Sequence, residues 1–188
     1  VEEGVIGELR LIRSTFTVGP PAPGNIRLSR ALGGGALMDI GSYAVNFARL
    51  VTGQEPEAVS ALATYGRESG VDETFAGILR FRDGVIDAFD VSMLTPGNST
   101  FEVLGANGKI VAPAGFRPES DQPTELHLFR GWDQREVIPI EPTNHYRLMV
   151  EDFAGAIQER RPVRFAPEDA VANMRVLDAL REAAEARR

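Results

Sequence analysis

The chain has 188 residues, a formal net charge of −7, 43% hydrophobic and 25% charged residues, and no cysteine. This length and composition fit one domain with a real core. Missing cysteine excludes disulfides, thiolate zinc sites and a thiol nucleophile, an acidic balance without a basic stripe argues against nucleic acid, and no apolar run approaches the ~20 residues of a membrane-spanning helix.

The opening VEEGVIGELRLI carries no secretory signal and reads as the lead-in to a strand. The chain is therefore expected to be a piece of a longer protein, with the cytoplasm as its compartment. Residues 5–17 favour a long strand. GPPAPGN then forces a loop, and NIRLSRAL follows as a short irregular or extended segment. After three glycines, a helix is predicted from Leu37 to Thr52, with Gly53 as its C-terminal cap. From Glu57 onward strands come in quick succession: AVSALATY, TFAGILRF, VIDAFDVSML, TFEVLG and KIVAP. Asp83-Gly84 and Asn107-Gly108 suit tight hairpins because both dipeptides tolerate positive φ. A further hairpin is expected around Gly131-Trp132-Asp133. Two helices close the chain. The first is capped by Thr143 or Asn144 and carries Tyr146, Met149, Val150, Phe153 and Ile157 at helical spacing. The second opens at Pro167 and is expected to bury Ala170, Val171, Met174, Leu177 and Leu180. The fold class is α+β, a largely antiparallel sheet with helices on one face.

Two strands are apolar on both faces. Phe75, Leu79 and Phe81 share one face of TFAGILRF, and Ala76 and Ile78 the other; VIDAFDV repeats the pattern. Either this is ordinary surface apolarity or the open face of the sheet packs on a partner.

The stretch GGGALMDIGSYAVNF carries the chemistry. On a helical wheel, Leu37, Ile40, Ala44, Phe47, Ala48 and Val51 form an apolar face. Asp39, Tyr43 and Asn46 fall at i, i+4 and i+7 and form a polar one. Gly41 costs ~1 kcal/mol relative to alanine inside a helix, and close approach of another group is the usual compensation. A plain structural account exists: Asp39 complements the helix dipole and Tyr43 is a half-buried aromatic. The functional account is a helix start that faces a ligand with a carboxylate and a phenol.

GGGALMDIGSYAVNFARLVTG resembles the signature of the C-terminal domain of the Gfo/Idh/MocA oxidoreductases, the glucose–fructose oxidoreductase and inositol dehydrogenase family. GVIGELRLIRSTFT resembles that domain's first strand, and FEVLGANGKIVAP its hairpin. NHYRLMVEDFAGAIQERRPV and PEDAVANMRVLDALREAAEAR resemble its closing helices. DIG-x-Y in place of D-x-G-x-H is most similar to glucose–fructose oxidoreductase, xylose dehydrogenases and dihydrodiol dehydrogenases. The resemblance implies an open-faced sheet like the C-terminal domain of glyceraldehyde-3-phosphate-dehydrogenase-like oxidoreductases. It implies NAD or NADP as cofactor, bound mainly by an N-terminal domain that carries a Glu-Lys-Pro lysine. That domain is absent here, since no G-x-G-x-x-G follows a strand. Residues 1–188 are thus expected to form one substrate-binding and oligomerisation domain, inactive alone, and a homodimer or tetramer is expected through the open sheet face.

On this resemblance the reaction is hydride transfer between the carbinol carbon of a sugar, polyol or related alcohol and the nicotinamide. Tyr43 is the expected hydroxyl-contacting group and Asp39 its orienting neighbour. Phenols ordinarily titrate near ~10, so a cation such as the family's lysine would assist, or would itself carry the proton. Asn25, Arg27, Gly41, Asn46 and His145 are the further candidates near substrate or cofactor. The two histidines, His127 and His145, are far apart and make no metal site. Two other readings share the fold: a regulator that senses a dinucleotide without turnover, and a module that only dimerises.

Overall fold

The computed structural model describes residues 3–131 and 133–187. Its strands are β1 (Leu9–Thr17), β2 (Ala58–Tyr65), β3 (Asp72–Arg80), β4 (Ile86–Ser92), β5 (Asn98–Gly105), β6 (Gly108–Ala112), β7 (Thr124–Arg130) and β8 (Gln134–Ile140). Its helices are α1 (Ser42–Thr52), α2 (His145–Glu159) and α3 (Pro167–Glu185). The strands form one sheet in the order β2-β3-β4-β1-β5-β6-β7-β8. Every pairing is antiparallel except β1 with β4. That exception follows from the long excursion after β1, which carries α1 over the sheet before the hairpins begin.

The α1 and α3 helices cover the same face of the β1–β4 half. Ile12, Phe16, Phe75, Leu79, Phe89 and Val91 meet Leu37, Ala44, Ala48, Leu177 and Leu180 there in one buried cluster. Strand alternation sends Arg13, Thr15, Ala76, Ile78, Ala88 and Asp90 to the opposite face, which no helix among the described residues packs against.

Several local expectations are corrected. The first strand begins at Leu9, because Gly4 and Gly7 adopt φ of 70° and 73° and turn the chain beforehand. The NIRLSRAL segment is two 3₁₀ turns, Ile26–Leu28 and Arg30–Leu32. The helix expected from Leu37 is continuous, but its first turn, Leu37–Gly41, is π-helical. Asp83-Gly84 turns with positive φ at both residues, 65° and 79°. Asn107-Gly108 does not; at Gly108 an added Cβ would overlap the Phe129 carbonyl oxygen on β7, so glycine serves close strand approach there. Trp132 lies outside the described residues. Asn144, not Thr143, caps α2, accepting from the Arg147 N–H at 3.0 Å.

The two closing helices differ from expectation in burial. In α3 the buried residues are Val176, Leu177, Leu180 and Ala184, while Ala170, Val171 and Met174 are exposed. In α2 the whole apolar stripe of Tyr146, Met149, Val150, Phe153 and Ile157 is exposed, and only Ala156 is buried. Helical periodicity makes an apolar stripe; burial also needs a neighbour, and α3 has β2 while α2 has no comparable partner among the described elements.

Candidate functional site

The triple glycine is a strap between two parts of the fold. Its N–H groups are already engaged: Gly33 donates to Arg30 O, Gly34 to Ser29 O and Gly35 to Arg27 O, at 3.1, 2.9 and 3.0 Å. Side chains are excluded at two of the three positions. A Cβ on Gly34 would overlap the Arg27 carbonyl, and one on Gly35 would overlap the Asp72 carboxylate. Asp72 in turn accepts from the Leu37 N–H at 2.7 Å and so caps the helix from the far side of the chain. Burial raises the Asp72 carboxyl above its ordinary pKa, and the backbone donors of the helix start pull it back.

On the other side of the strap stands Arg27. Its Nε donates to Asp39 Oδ2 at 2.6 Å, and this hydrogen bond, with the attraction of the same carboxylate, raises the guanidinium's pKa further. Asn25 does not reach outward; its Oδ1 accepts from the Arg27 N–H at 3.0 Å and caps the 3₁₀ turn. Arg27, Asp39 and Asn25 are therefore one unit, seated on the glycines.

Tyr43 lies in the first turn of α1 and is 52% exposed. Its ring meets Phe16 edge to face at 5.6 Å, and it follows Asp39 by four residues, one turn along the same continuous helix. Gly41 is buried, and a Cβ there would press on Leu37 Cδ1 at 3.0 Å and approach Val91 Cγ2 at 3.6 Å. The close approach it permits is that of the protein's own sheet, not of a ligand. Asn46 is exposed, and its Nδ2 donates to Asp169 Oδ2 at 3.4 Å. His145 is exposed at the start of α2, its ring tilted against Tyr146 at 4.2 Å, apart from this group. The structure thus assembles Asn25, Arg27, Asp39 and Tyr43, places Asn46 along the same helix, turns Gly41 into the core and leaves His145 outside.

Three features were not legible in the pattern. Asp72 caps the helix from a strand 35 residues away in the chain. Arg49, with a side chain only 6% exposed, grips Glu55 with two nitrogens at 2.7 and 2.9 Å and Asp169 at 2.8 Å, clamping α1 to α3. Phe16, Phe47, Phe101 and Phe116 gather beside Tyr43 from four separate segments. Phe47, Phe101 and Phe116, with Phe16 behind them, floor an open cleft of about 510 Å³ rimmed by Tyr43, Asn46, Asp169 and Met174. Among the described residues no cluster of His, Asp and Glu could hold a metal ion, and no helix is long and apolar enough to cross a membrane.

Comparison with known proteins gives this geometry a context. Residues 1–111 match the model of the GFO/IDH/MocA C-terminal domain. D-xylose 1-dehydrogenase (NADP(+)) 2 of Haloferax volcanii is 34% identical over 182 residues, 96% of this chain and 55% of the relative. The dTDP-3,4-didehydro-2,6-dideoxy-alpha-D-glucose 3-reductase of Actinomadura kijaniata is 29% identical, over 98% of this chain and 55% of its own length. The crystal structure of a 3-ketoreductase from Actinomadura kijaniata in complex with NADP and TDP-benzene superposes with a TM-score of 0.89 at 30% identity, covering 97% of this chain and 56% of that one. The chain thus spans about half the length of these relatives. With its eight-stranded, largely antiparallel sheet and its glycine-strapped Asp39–Tyr43 helix, it belongs to the Gfo/Idh/MocA family, as that family's C-terminal domain.

Proposed function

We propose that this chain is the substrate-binding domain of an NAD(P)-dependent oxidoreductase that acts on a sugar, polyol or related alcohol. The carrying observation is Tyr43: a half-exposed phenol beside an Arg27–Asp39 pair, on a helix start that the chain secures from both sides. Relatives named as a xylose dehydrogenase and sugar reductases support the substrate class. Nothing among the described residues cradles a pyrophosphate, since the triple glycine's N–H groups are spent on its own turns. The dinucleotide, which supplies or accepts the hydride, therefore depends on another domain for its phosphates. Within this chain, Tyr43 contacts the reacting oxygen, as donor to a carbonyl or acceptor from a hydroxyl. Asp39 acts through Arg27, fixing the guanidinium where a neighbouring substrate hydroxyl can be bound.

The test is Tyr43→Phe in the complete enzyme. The ring and its contact with Phe16 stay, and only the hydroxyl goes. Turnover is expected to fall by about 10²- to 10⁴-fold with little change in substrate affinity. A variant that keeps more than half of wild-type turnover reassigns Tyr43 to packing.

The open sheet face supports a homodimer or tetramer. Leu62 and Ile78 stand there 61% and 48% exposed. An interface that buries more than about 1,000 Å² in total is expected. Sedimentation should show association at tens of micromolar, lost in Ile78→Asp; a wild-type monomer would overturn this arrangement.

A further inference from the structure

The cleft beside Tyr43 has an unequal lining. Its floor is phenyl rings in mutual contact: Phe47 and Phe101 at 4.1 Å, Phe101 and Phe116 at 5.9 Å, with Phe16 stacked behind Phe116 at 5.4 Å. Phe47, Phe101 and Phe116 all keep part of their surface exposed. At the lips, Leu50 and Met174 are exposed too. A connected apolar surface of this kind stays wet at a cost unless something flat covers it.

The polar edge is just as selective. The cleft's one charged lining residue among those described is Asp169, a carboxylate. The guanidinium that holds this carboxylate, that of Arg49, is consumed by Glu55 and Asp169. A phosphate or diphosphate lying over this floor would face a negative group, with no cation among the cleft's described lining residues to neutralise it. A neutral planar group would meet ring faces and a methionine, with the Asn46 amide at its margin.

We infer that this cleft is a specificity subsite for a neutral aryl or other flat apolar substituent of the sugar, so that the chain takes an aryl glycoside or similarly substituted alcohol in preference to a free sugar or a nucleoside-diphosphate sugar. The inference rests on the reading that Tyr43 marks the reacting end of the substrate. With the reacting carbon at Tyr43, the substituent at the far side of the ring lies over Phe47, Phe101 and Phe116, while the sugar hydroxyls face Arg27 and Asn46.

The experiment is binding to the complete protein that contains this chain, followed by calorimetry and by the Met174 methyl signal. The probes are phenyl β-D-xylopyranoside, D-xylose and thymidine diphosphate. Phenyl xyloside is expected to bind at least about tenfold more tightly than xylose and to shift the Met174 methyl. Thymidine diphosphate is expected neither to shift that signal nor to compete. Ala170→Trp, at an exposed position on the cleft wall, should fill the space and abolish the advantage of the phenyl group; Phe116→Leu should reduce it. Equal binding of the two sugars, no binding of the phenyl compound, a Met174 signal that does not move, an unchanged advantage in Ala170→Trp, or competition by thymidine diphosphate overturns the inference. The readout does not depend on turnover. A complete protein that transfers no hydride would sink the oxidoreductase reading with the cleft still occupied, whereas equal sugar binding would sink the subsite and leave that reading intact.

Discussion

The β1–β4 half of the sheet and the β5–β8 half are built from similar strands but are not packed alike. Under α1 and α3 the first half buries Phe75, Leu79, Phe81, Val91, Leu177 and Leu180 almost completely. The second half has a small cluster around Ile6, Val103 and Leu128, and α2 leaves its apolar stripe exposed. The candidate site sits at the margin of the dense half, where Tyr43 and the Arg27–Asp39 pair inherit a rigid base. The difference shows that positional precision here comes from helix coverage of one sheet face. Strand pairing alone, which both halves have, does not supply it.

The comparison predicts its own breaking points. Leu79→Ala in the dense half should cost about 2–5 kcal/mol by denaturant unfolding, because it leaves a cavity between sheet and helices. A cost below about 1 kcal/mol would mean that this half is as loosely packed as the other.

Asp87 is the next lever. It lies fully buried on the core face of β4, and neither carboxyl oxygen has a hydrogen-bond partner among the described residues. Loss of solvation pushes its pKa up from 3.8 to about 8. The folded state therefore holds a proton that the unfolded chain releases near pH 4. Between roughly pH 4 and pH 8 the unfolded state binds fewer protons, so stability falls as pH rises and levels off above that window. The loss is on the order of a few kcal/mol. Asp87→Asn should flatten the slope, and Asp87→Leu should in addition raise stability at pH 8. An unchanged pH slope in Asp87→Asn would place the titration elsewhere.

Arg49→Met should cost about 2 kcal/mol. The variant keeps the stem's packing but releases the clamp between α1 and α3, and water can take up the half-exposed Glu55 and Asp169 left behind. Thermal unfolding together with the chemical shift of the Asn46 amide, which donates to Asp169, would show whether the clamp also holds the cleft. An Asn46 signal that does not move would confine Arg49 to stability. The smallest effect belongs to α2: Ile157→Ala should change the stability of this chain by less than about 0.5 kcal/mol, since the side chain is already exposed. A cost above about 1 kcal/mol would show that the stripe is covered in solution and erase the contrast between the halves.

The sequence by itself determined the class of fold and singled out the helix on which the candidate site is placed. Alternation of apolar residues, the Asp83-Gly84 turn and the Asn144 and Pro167 helix starts are local signals, and local signals survive in a one-dimensional reading. GGGALMDIGSY marked the helix that carries Asp39 and Tyr43, and the family resemblance followed from the same residues. Only the tertiary structure decided what those residues touch. Arg27 and Asn25 come to Asp39 because two glycines let a 3₁₀ turn lie against the helix start, and Asp72 caps that start from another strand. The phenylalanine floor likewise joins β1, α1, β5 and the loop after β6. Gly41 and α2 mislead for the same reason. A glycine's need for space and a helix's apolar stripe are written locally, but the neighbour that occupies the space or covers the stripe is set by contacts between segments far apart in the chain.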